Sequence, residues 1–238
     1  QNSRWLEPQP PHKRRLVIAG GGPSLSENAD KIKLRKRRGH TVWALNGAHD
    51  YLIANRVIPD AMVIIDSRPD NVEFVRKARR GVSYLLAANC DPALFDALTG
   101  HDVQLWFQDI DGARAIHDRL QAKFVDRKVY AIPGGNTVGL RALALGFWQG
   151  YRHFTLFGYD SSYRNGKNHA YRQPLNDGEV VELVYAGETP FHAARWMIVQ
   201  TNVFQEMAKQ LIEQFGCTID VIGDGLLPYV AQQMVKNA

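Results

Sequence analysis

The strongest candidate for proton transfer in this sequence is His169, which lies in a polar loop that also holds Asp160, Tyr163 and Lys167. Imidazole titrates near neutral pH, so a histidine in such a loop could take the proton of an attacking hydroxyl group. Tyr163 or Lys167 could then stabilise the charge of a departing phosphate. Two other interpretations stay open from the residues alone: His169 as an ordinary surface histidine, and Asp160 as the residue of a local Asx turn.

Two glycine-rich loops supply a place for that phosphate. The first reads GGGPSL at residues 20–25 and follows a short apolar run, and the second reads GGNT at residues 134–137 and precedes an Ala/Leu-rich helix. Glycines let the backbone approach a ligand closely, and a helix capped by Asn136 or Thr137 presents unpaired amides that attract an anion. We therefore predict a phosphate-bearing ligand, although residues 20–22 could also form a simple tight turn.

The glycine loops differ from the common nucleotide motifs. GGGPSL is not GxGxxG, and the chain contains no GxxxxGK[ST] sequence, so dinucleotide binding of the NAD type and P-loop chemistry both lose support. No two histidines show metal-ligand spacing with a carboxylate, and Cys90 and Cys217 are isolated from each other. The cysteines and histidines therefore predict neither a zinc site nor a disulfide framework.

Short apolar runs alternate with helical patterns along most of the chain. This alternation predicts an α/β fold of the Rossmann-like type, with a largely parallel sheet and helices on both faces. Ligands of such sheets bind outside the carboxyl ends of the strands, near the point where the strand order reverses. The polar residues expected at strand ends are Ser24, Asn46, Asp66, Asn136 and Asp160. Asn46 with the next glycine could instead be only a turn pair, and Asp66 only a helix cap.

The pattern changes after the second glycine loop and its strand. Residues 179–185 alternate between apolar and polar types, which predicts an exposed strand or hairpin, and residues 161–188 could form a small lid. Thr189 and Pro190 have the pattern of a helix start, and Gly216 has that of a helix stop. One long helix over residues 189–215 is the prediction.

Composition predicts a folded domain with an affinity for anions. The 238 residues carry a net charge of +5 and a pI near 9.2, which suits an anionic ligand. The basic run at residues 31–38 fits a solvated helix face and is accompanied by no RRM, KH or helix-turn-helix motif, so we predict no nucleic-acid partner. We expect an extended basic arm over residues 1–15 and a single domain over residues 16–238.

No feature of the sequence predicts a membrane span. No apolar run approaches the roughly 18 residues that a bilayer requires, and no signal peptide precedes Leu16. The expected location is therefore cytoplasmic. The sequence leaves the oligomeric state open, together with the question of a further domain before residue 1.

Several motifs together resemble a known family. They are GGGPSL at residues 20–25, Asn46-Gly47, the strand ending at Asp66, GGNT at residues 134–137 and GYDSSYRNGKNHAY at residues 158–171. This set is similar to the domain shared by bacterial motility-associated factors and archaeal 6-hydroxymethylpterin diphosphokinases. The layout also resembles bacterial sialyltransferases of the Campylobacter type, whose first loop reads GNGPSL and whose later strand ends in Gly-x-Asp-x-x-Tyr. The resemblance covers most of residues 16–228.

The resemblance implies roles for particular residues. Gly20, Gly22, Pro23 and Ser24 would line a nucleotide site, with Asn46 and Asp66 at neighbouring strand ends and Gly135 where the sialyltransferases have a glycine that contacts the nucleotide. Gly158, Asp160 and Tyr163 match their later motif, and His169 falls in the region of their general base. The motility-associated factors carry a similar glycine-lysine-x-histidine ending. Gly21 stands where the sialyltransferases have asparagine, and Pro133-Gly134 replaces their Thr-Ser, so the contacts that read cytidine differ.

Three functions follow as hypotheses. The leading one is a glycosyltransferase-like enzyme that uses a nucleotide-activated sugar, for which a CMP-activated nonulosonic acid is one candidate, and the sequence indicates no certain cofactor for it. The second is an ATP pyrophosphokinase acting on a pterin-like alcohol, with Asp66 and Asp160 holding Mg²⁺. The third is a nucleotide-binding module without catalysis. The leading hypothesis assigns catalysis to His169, Asp160 and Tyr163, and it assigns nucleotide binding to Gly20, Gly21, Gly22, Pro23, Ser24, Asn46, Asp66, Gly134, Gly135, Asn136, Thr137 and Lys167.

Overall fold

A computed structural model describes residues 4–110, 112–173 and 178–236. Eleven strands and seven α-helices are formed within these residues. The strands are β1 (Arg4–Trp5), β2 (Arg15–Ala19), β3 (Thr41–Leu45), β4 (Ala61–Ile64), β5 (Ser83–Ala87), β6 (Asp102–Gln108), β7 (Ala131–Ile132), β8 (His153–Phe157), β9 (Val181–Ala186), β10 (Thr189–Ala194) and β11 (Thr218–Ile222). The helices are α1 (Ala29–Arg37), α2 (Ala48–Ala54), α3 (Pro92–Ala97), α4 (Arg114–Lys123), α5 (Val138–Trp148), α6 (Arg195–Phe215) and α7 (Leu226–Lys236), and 3₁₀ turns cover Pro23–Glu27 and Pro69–Val75.

The main sheet has the order β1-β6-β5-β4-β3-β2-β8-β11, and β7 pairs with the far end of β6. The pairs along this sheet are parallel, which confirms the predicted Rossmann-like α/β fold. The chain lays down strands outward from β2 to β6 and then returns to place β8 on the other side of β2. The strand order therefore reverses between β2 and β8, where a ligand is expected.

The two faces of the sheet bury different apolar clusters because successive side chains of a strand point to opposite sides. Leu16 and Ile18 of β2 belong to a cluster that includes Leu143 of α5 and Phe204 of α6. Alternate residues of the same strand, such as Val17, belong to a second cluster with residues of α1 and α2. Helices on both faces explain why β2, β3 and β4 are nearly continuous apolar runs.

The predicted hairpin is also present. β9 and β10 form a separate antiparallel pair, with Ala186 opposite Thr189. The backbone amide of Tyr163 donates to the carbonyl of His192 in β10 at 2.6 Å, so the hairpin is tied to the polar loop that follows β8.

The predicted helix over residues 189–215 begins later than expected. Residues 189–194 form β10, and α6 starts at Arg195 after Ala194, which makes no side-chain cap. Thr189 and Pro190 have the local sequence pattern of a helix start. Pairing with β9, which a local pattern does not report, makes this segment a strand instead. The predicted end is confirmed, since Gly216 adopts a left-handed conformation with φ of 64°.

The segment over residues 4–12 is extended along the edge of the domain. Arg4 and Trp5 pair with β6, and the backbone amide of His12 donates to the carbonyl of Gly150 at 2.9 Å. Across the described part of the chain, none of the helices combines the length and apolar character that crossing a bilayer requires.

Candidate active site

A cleft opens where β2 and β8 end. It lies at the reversal of strand order, between the first glycine loop, the start of α5 and the polar loop after β8. Its lining consists of Gly20, Gly21, Gly22, Leu45, Asn46, Thr137, Val138, Gly139, Gly158, Tyr159, Asp160, Ser161, Asn168, His169, Tyr171, Gln173, Trp196, Met197 and Gln200. The cleft therefore brings together residues from widely separated parts of the chain.

The first glycine loop is bound closely to the end of β8. The amide of Gly20 donates to the carbonyl of Phe157 and that of Gly22 to the carbonyl of Gly158, both at 2.8 Å. A Cβ atom at Gly20 would lie 2.6 Å from the Gly158 carbonyl oxygen, so this approach requires glycine. The next amides, of Ser24 and Leu25, also donate within the protein. These amides were expected to bind a phosphate. They are instead already used in hydrogen bonds within the protein, several of which hold the ends of β2 and β8 together.

The amino terminus of α5 supplies the anion-binding features instead. The Thr137 hydroxyl accepts from the Leu140 amide at 3.4 Å, which confirms the predicted cap. Thr137, Val138 and Gly139 line the cleft. The first amides of a helix have no intrahelical acceptor and lie at the positive end of the helix dipole. This end of the cleft is therefore suited to a phosphate group.

Gly134 and Gly135 serve the packing of α5. A side chain at Gly134 would meet Arg141, and one at Gly135 would overlap Leu140. Arg141 is buried, and its Nη1 donates to the carbonyls of Asp109 and Ile132 at 2.8 and 3.1 Å. Glycine at these two positions therefore lets the second glycine loop pack against the first turn of α5. The loop contributes to the cleft by fixing the orientation of that turn.

Asp160 is the buried carboxylate of the site, with 2% of its surface exposed. Its Oδ2 accepts from the amide of Ser24 at 3.1 Å and from the hydroxyl of Ser24 at 3.0 Å. A side chain at Gly22 would overlap this oxygen. Burial, the largest effect, raises the pKa of Asp160 to about 6, and the Ser24 bonds oppose that rise. Asp160 is therefore placed to hold the glycine loop against β8.

His169 has the geometry of a neutral base. Its Nδ1 lies 2.9 Å from Oδ1 of Asn168, and because that oxygen can only accept, Nδ1 carries the proton and Nε2 keeps a free lone pair. The ring edge at Cδ2, beside Nε2, lies against Gly21, where a Cβ atom would be 2.8 Å away. Burial lowers the pKa of His169 and outweighs the opposing charge of Glu179. The imidazole is thus uncharged near neutral pH.

Tyr171 closes one side of the cleft, and the sequence analysis did not assign it a role. A side chain at Gly21 or Gly47 would collide with its ring or hydroxyl group. The backbone of this segment is fixed by the amide of Ala170, which donates to the Gly21 carbonyl at 2.9 Å. Burial raises the pKa of Tyr171, so its hydroxyl stays protonated and can donate to a ligand. The signal was present, since Tyr171 is the last residue of the 158–171 motif.

Trp196, Met197 and Gln200 are further cleft residues that sequence reasoning missed. They lie in the first turns of α6, with the spacing that places side chains on one face of a helix. The predicted helix began six residues too early and so gave no reason to single out this turn.

The family model described as 6-hydroxymethylpterin diphosphokinase MptE-like matches residues 4–166 of this chain. The chain belongs to that family. The matched residues include both glycine loops, Asp160 and Tyr163, and they end before His169. No curated protein matches the sequence.

A solved structure has the same fold as this member of the MptE-like family. It is the MAf glycosyltransferase from Magnetospirillum magneticum AMB-1, with a TM-score of 0.68 and 20% sequence identity. The match covers 94% of this chain and 34% of that one, so the chain spans about a third of the length of that glycosyltransferase. At this identity the likeness shows a common fold.

The structure brings only part of the predicted site into the cleft of this MptE-like chain. Gly20, Gly21, Gly22, Asn46, Thr137, Asp160 and His169 line it. Pro23 and Ser24 are buried behind the glycine loop. Lys167 is exposed at a turn in which its backbone pairs with Arg164, and Asn136 lines a separate groove beside Trp196. Tyr163 points its hydroxyl at Glu179, to which it donates at 3.0 Å.

The residues suggested for Mg²⁺ do not form one donor set. Asp66 is bound by Arg68, whose Nη2 lies 2.8 Å from its Oδ2, and it is not among the residues that line the cleft. Asp160 already uses Oδ2 to accept from Ser24. Within residues 4–110, 112–173 and 178–236, no group of three or more histidine, cysteine or acidic side chains is placed to hold a metal ion. The residues present do not fit a two-carboxylate Mg²⁺ site.

Proposed function

We propose that this chain is a transferase of the glycosyltransferase type, which binds a nucleotide-activated sugar and transfers the sugar to a hydroxyl group. The observation that carries the proposal is the convergence of three features on one cleft: the open amino end of α5, the Gly20 to Gly22 loop and the neutral imidazole of His169. The family's diphosphokinase name and the structural neighbour's glycosyltransferase name both describe transferases. A transferase role is the common part of these two names.

The donor phosphate would bind at the amino end of α5. The amides of Val138 and Gly139 and the positive end of the helix dipole would face it. Asn46, in a left-handed conformation with φ of 47°, has a buried Oδ1 without a protein donor in the described residues. Asn46 lines the cleft, and a small rotation of its side chain would let this oxygen accept from a hydroxyl or amino group of the nucleotide. A CMP-activated nonulosonic acid is the donor that we propose to test first.

His169 would act as the general base. As the acceptor oxygen forms its bond to the anomeric carbon, Nε2 takes the hydroxyl proton, and the bond between the anomeric carbon and the phosphate oxygen breaks. The nucleotide monophosphate leaves with the bonding electron pair. The hydroxyl of Tyr171, kept protonated by burial, would donate to the departing phosphate. General-base catalysis of this kind contributes about 10² to 10⁴ in rate.

Diphosphate transfer from ATP is a second candidate, which the family description favours. It would require Mg²⁺ to neutralise the phosphates. The separation of Asp66 from the cleft weakens this candidate, because Asp160 would be the carboxylate left to bind the ion. A metal-dependent response to ATP distinguishes it from sugar transfer.

Ligand-induced thermal stabilisation tests the donor class directly. The chain is heated with CMP, CDP, UDP, GDP, AMP or ATP, each with Mg²⁺ and with excess EDTA. A ligand at 100 times its dissociation constant stabilises by about 2.7 kcal/mol, which raises the melting temperature of a chain of this size by about 5 to 10 °C. We expect a response to CMP that EDTA leaves unchanged. A response to ATP only with Mg²⁺ would move the assignment to diphosphate transfer, and no response would favour a module without nucleotide chemistry.

A variant pair then separates binding from chemistry. With CMP-N-acetylneuraminate as the donor, His169→Ala should keep CMP binding and lose about 10² to 10⁴ in the rate of donor cleavage. The control is His153→Ala, because His153 lies at the amino-terminal end of β8, away from the cleft. Full turnover by His169→Ala would remove His169 from the mechanism. Ligand binding without turnover in the unmodified chain would support the non-catalytic alternative.

A further inference from the structure

A row of hydrogen bonds leads away from His169 to a carboxylate outside the cleft. The Nδ1 of His169 donates to Oδ1 of Asn168 at 2.9 Å, and Nδ2 of Asn168 donates to the hydroxyl of Tyr163 at 3.4 Å. The Tyr163 hydroxyl donates to Oε2 of Glu179 at 3.0 Å. All three donors point toward Glu179, so each bond polarises the next in the same sense.

We propose that Glu179 is a positioning residue that fixes the orientation and tautomer of His169 through Tyr163 and Asn168. This inference rests on the proposed role of His169 as the base. In this role Tyr163 does not stabilise the departing phosphate, which is the role that the sequence suggested for Tyr163 or Lys167.

The two ends of the Asn168 amide determine how the row is ordered. Its nitrogen faces the Tyr163 oxygen and its oxygen faces Nδ1 of His169. If the Tyr163 hydroxyl is held as a donor to Glu179, its oxygen accepts from Asn168, and the amide oxygen must then face the histidine. The proton of His169 is thereby kept on Nδ1, which leaves Nε2 free to act as a base.

Glu179 is itself fixed from two directions. Its Oε1 accepts from Nε1 of Trp196 at 2.9 Å, and its Oε2 accepts from Tyr163. Trp196 belongs to the first turn of α6, and the Tyr163 amide is bound to the carbonyl of His192 in β10. The carboxylate is therefore held by the helix and, through Tyr163, by the hairpin. The position of the Glu179 carboxylate therefore couples the hairpin and α6 to His169 in the cleft.

The charge of Glu179 also acts on His169. It raises the pKa of the histidine, against the larger lowering caused by burial. Two further titratable groups line the same cleft as the ring: Tyr171, whose ring centroid lies 5.6 Å away, and Asp160. Replacing Glu179 with glutamine removes the nearby carboxylate that the row reaches and keeps the size of the side chain.

Nuclear magnetic resonance of the histidine side chains tests this without any substrate. Long-range ¹H–¹⁵N spectra of the full chain report which ring nitrogen carries the proton, and His169→Gln identifies the His169 signals by their loss. We expect the Nδ1–H form in the unmodified chain, a mixture of tautomers in Tyr163→Phe and a lower His169 pKa in Glu179→Gln. The matched control is Glu182→Gln, which removes the same charge from an exposed position in β9 and should leave the His169 signals unchanged.

Kinetics with CMP-N-acetylneuraminate provide the second measurement. Misplacing the base should lower kcat by about tenfold to 100-fold in Glu179→Gln and in Tyr163→Phe, with little change in the KM for the donor. Because both variants interrupt one row, the double variant should be no slower than the slower single variant. Additive losses would show that the two residues act independently and would overturn the proposal.

The two proposals fail in different ways. Unchanged His169 tautomer and pKa in both variants would overturn the positioning role, whatever the enzyme does. The expected spectral changes in a chain that cleaves no CMP-sugar would leave the positioning role standing and would count against the proposed function. If Tyr163→Phe does not fold, the near-isosteric Glu179→Gln still gives the decisive pKa and kcat measurements.

Discussion

The carboxylate of Asp160 accepts two hydrogen bonds from Ser24, one from the amide at 3.1 Å and one from the hydroxyl at 3.0 Å. Asp160 follows β8 and Ser24 follows β2, so this pair joins the two strand ends between which the strand order reverses. The bond holds the glycine loop in place at the edge of the cleft. Because both residues are buried, the ionisation of Asp160 is coupled to the stability of the fold.

Asp160 should make the chain less stable as the pH rises through 6. Its pKa is raised by burial from 3.8 to about 6 in the folded chain, so between these values the folded state binds its proton more tightly than the unfolded state does. The favourable contribution of the protonated carboxyl is complete below pH 3.8 and is lost as the pH passes 6. Relative to Asp160→Asn, the unmodified chain should lose about 2 kcal/mol of unfolding free energy between pH 4 and pH 7.

Urea denaturation of both chains at several pH values measures this difference. The control is Asp220→Asn, since Asp220 is an exposed residue of β11. An identical pH dependence in the unmodified chain and Asp160→Asn would contradict the raised pKa.

Ser24→Ala should be markedly more destabilising than Ser26→Ala. The Ser24 hydroxyl donates to a buried carboxylate, and hydrogen bonds to charged groups contribute about 1.5 to 3 kcal/mol. The Ser26 hydroxyl donates to the carbonyl of Pro23 at 2.8 Å, a neutral bond for which about 1 kcal/mol is typical. Equilibrium unfolding at pH 7.5 should show this order. Repeating it at pH 4, where Asp160 is protonated, should reduce the gap, and equal losses at pH 7.5 would contradict the role of the charge.

Adjacent glycines should respond differently to alanine. A Cβ atom at Gly21 would collide with the Tyr171 hydroxyl and with His169, which are side chains at the cleft surface, whereas one at Gly22 would overlap Asp160 and lie 2.7 Å from the Gly158 carbonyl oxygen. Gly21→Ala should therefore fold and lose ligand binding, because the two side chains can move aside. Gly22→Ala should lower the melting temperature, because backbone and a buried carboxylate cannot. Thermal melts with and without CMP compare the two, and the reverse order would contradict this geometry.

The sequence predicted the parallel sheet because buried strands such as β2, β3 and β4 must be apolar on both faces. Local rules also predicted the cap at Thr137 and the left-handed end at Gly216, which both depend on a few neighbouring residues. These features are encoded over short distances. The hairpin was predicted from the alternation in residues 179–185 for the same reason.

The remaining parts of the site depend on contacts between distant residues. Tyr171 lies over the first glycine loop because the Ala170 amide reaches the carbonyl of Gly21, and no local pattern reports this pairing. Glu179 reads as the start of an exposed strand, although its carboxylate is bound by Tyr163 and Trp196. Helix α7 follows the glycine-rich turn at residues 223–225, and it is held by burial of Leu226 and Leu227, which pack against distant parts of the chain.

His169 should give the pH profile of donor cleavage an acidic limb with a midpoint below 6.5. Burial lowers its pKa from the ordinary value of 6.5, and a base acts only when unprotonated, so kcat/KM should fall as the pH drops through this lowered value.

Asp160, with a pKa of about 6, lies in the same cleft and could produce a limb of its own. Profiles of CMP-N-acetylneuraminate cleavage from about pH 4.5 to 8.5 in Asp160→Asn and His169→Gln separate the two groups. The limb should survive in Asp160→Asn and move to lower pH in Glu179→Gln, because the charge that supports imidazolium is then gone. A midpoint above 6.5, or a limb that is lost in Asp160→Asn, would assign the proton transfer to another residue.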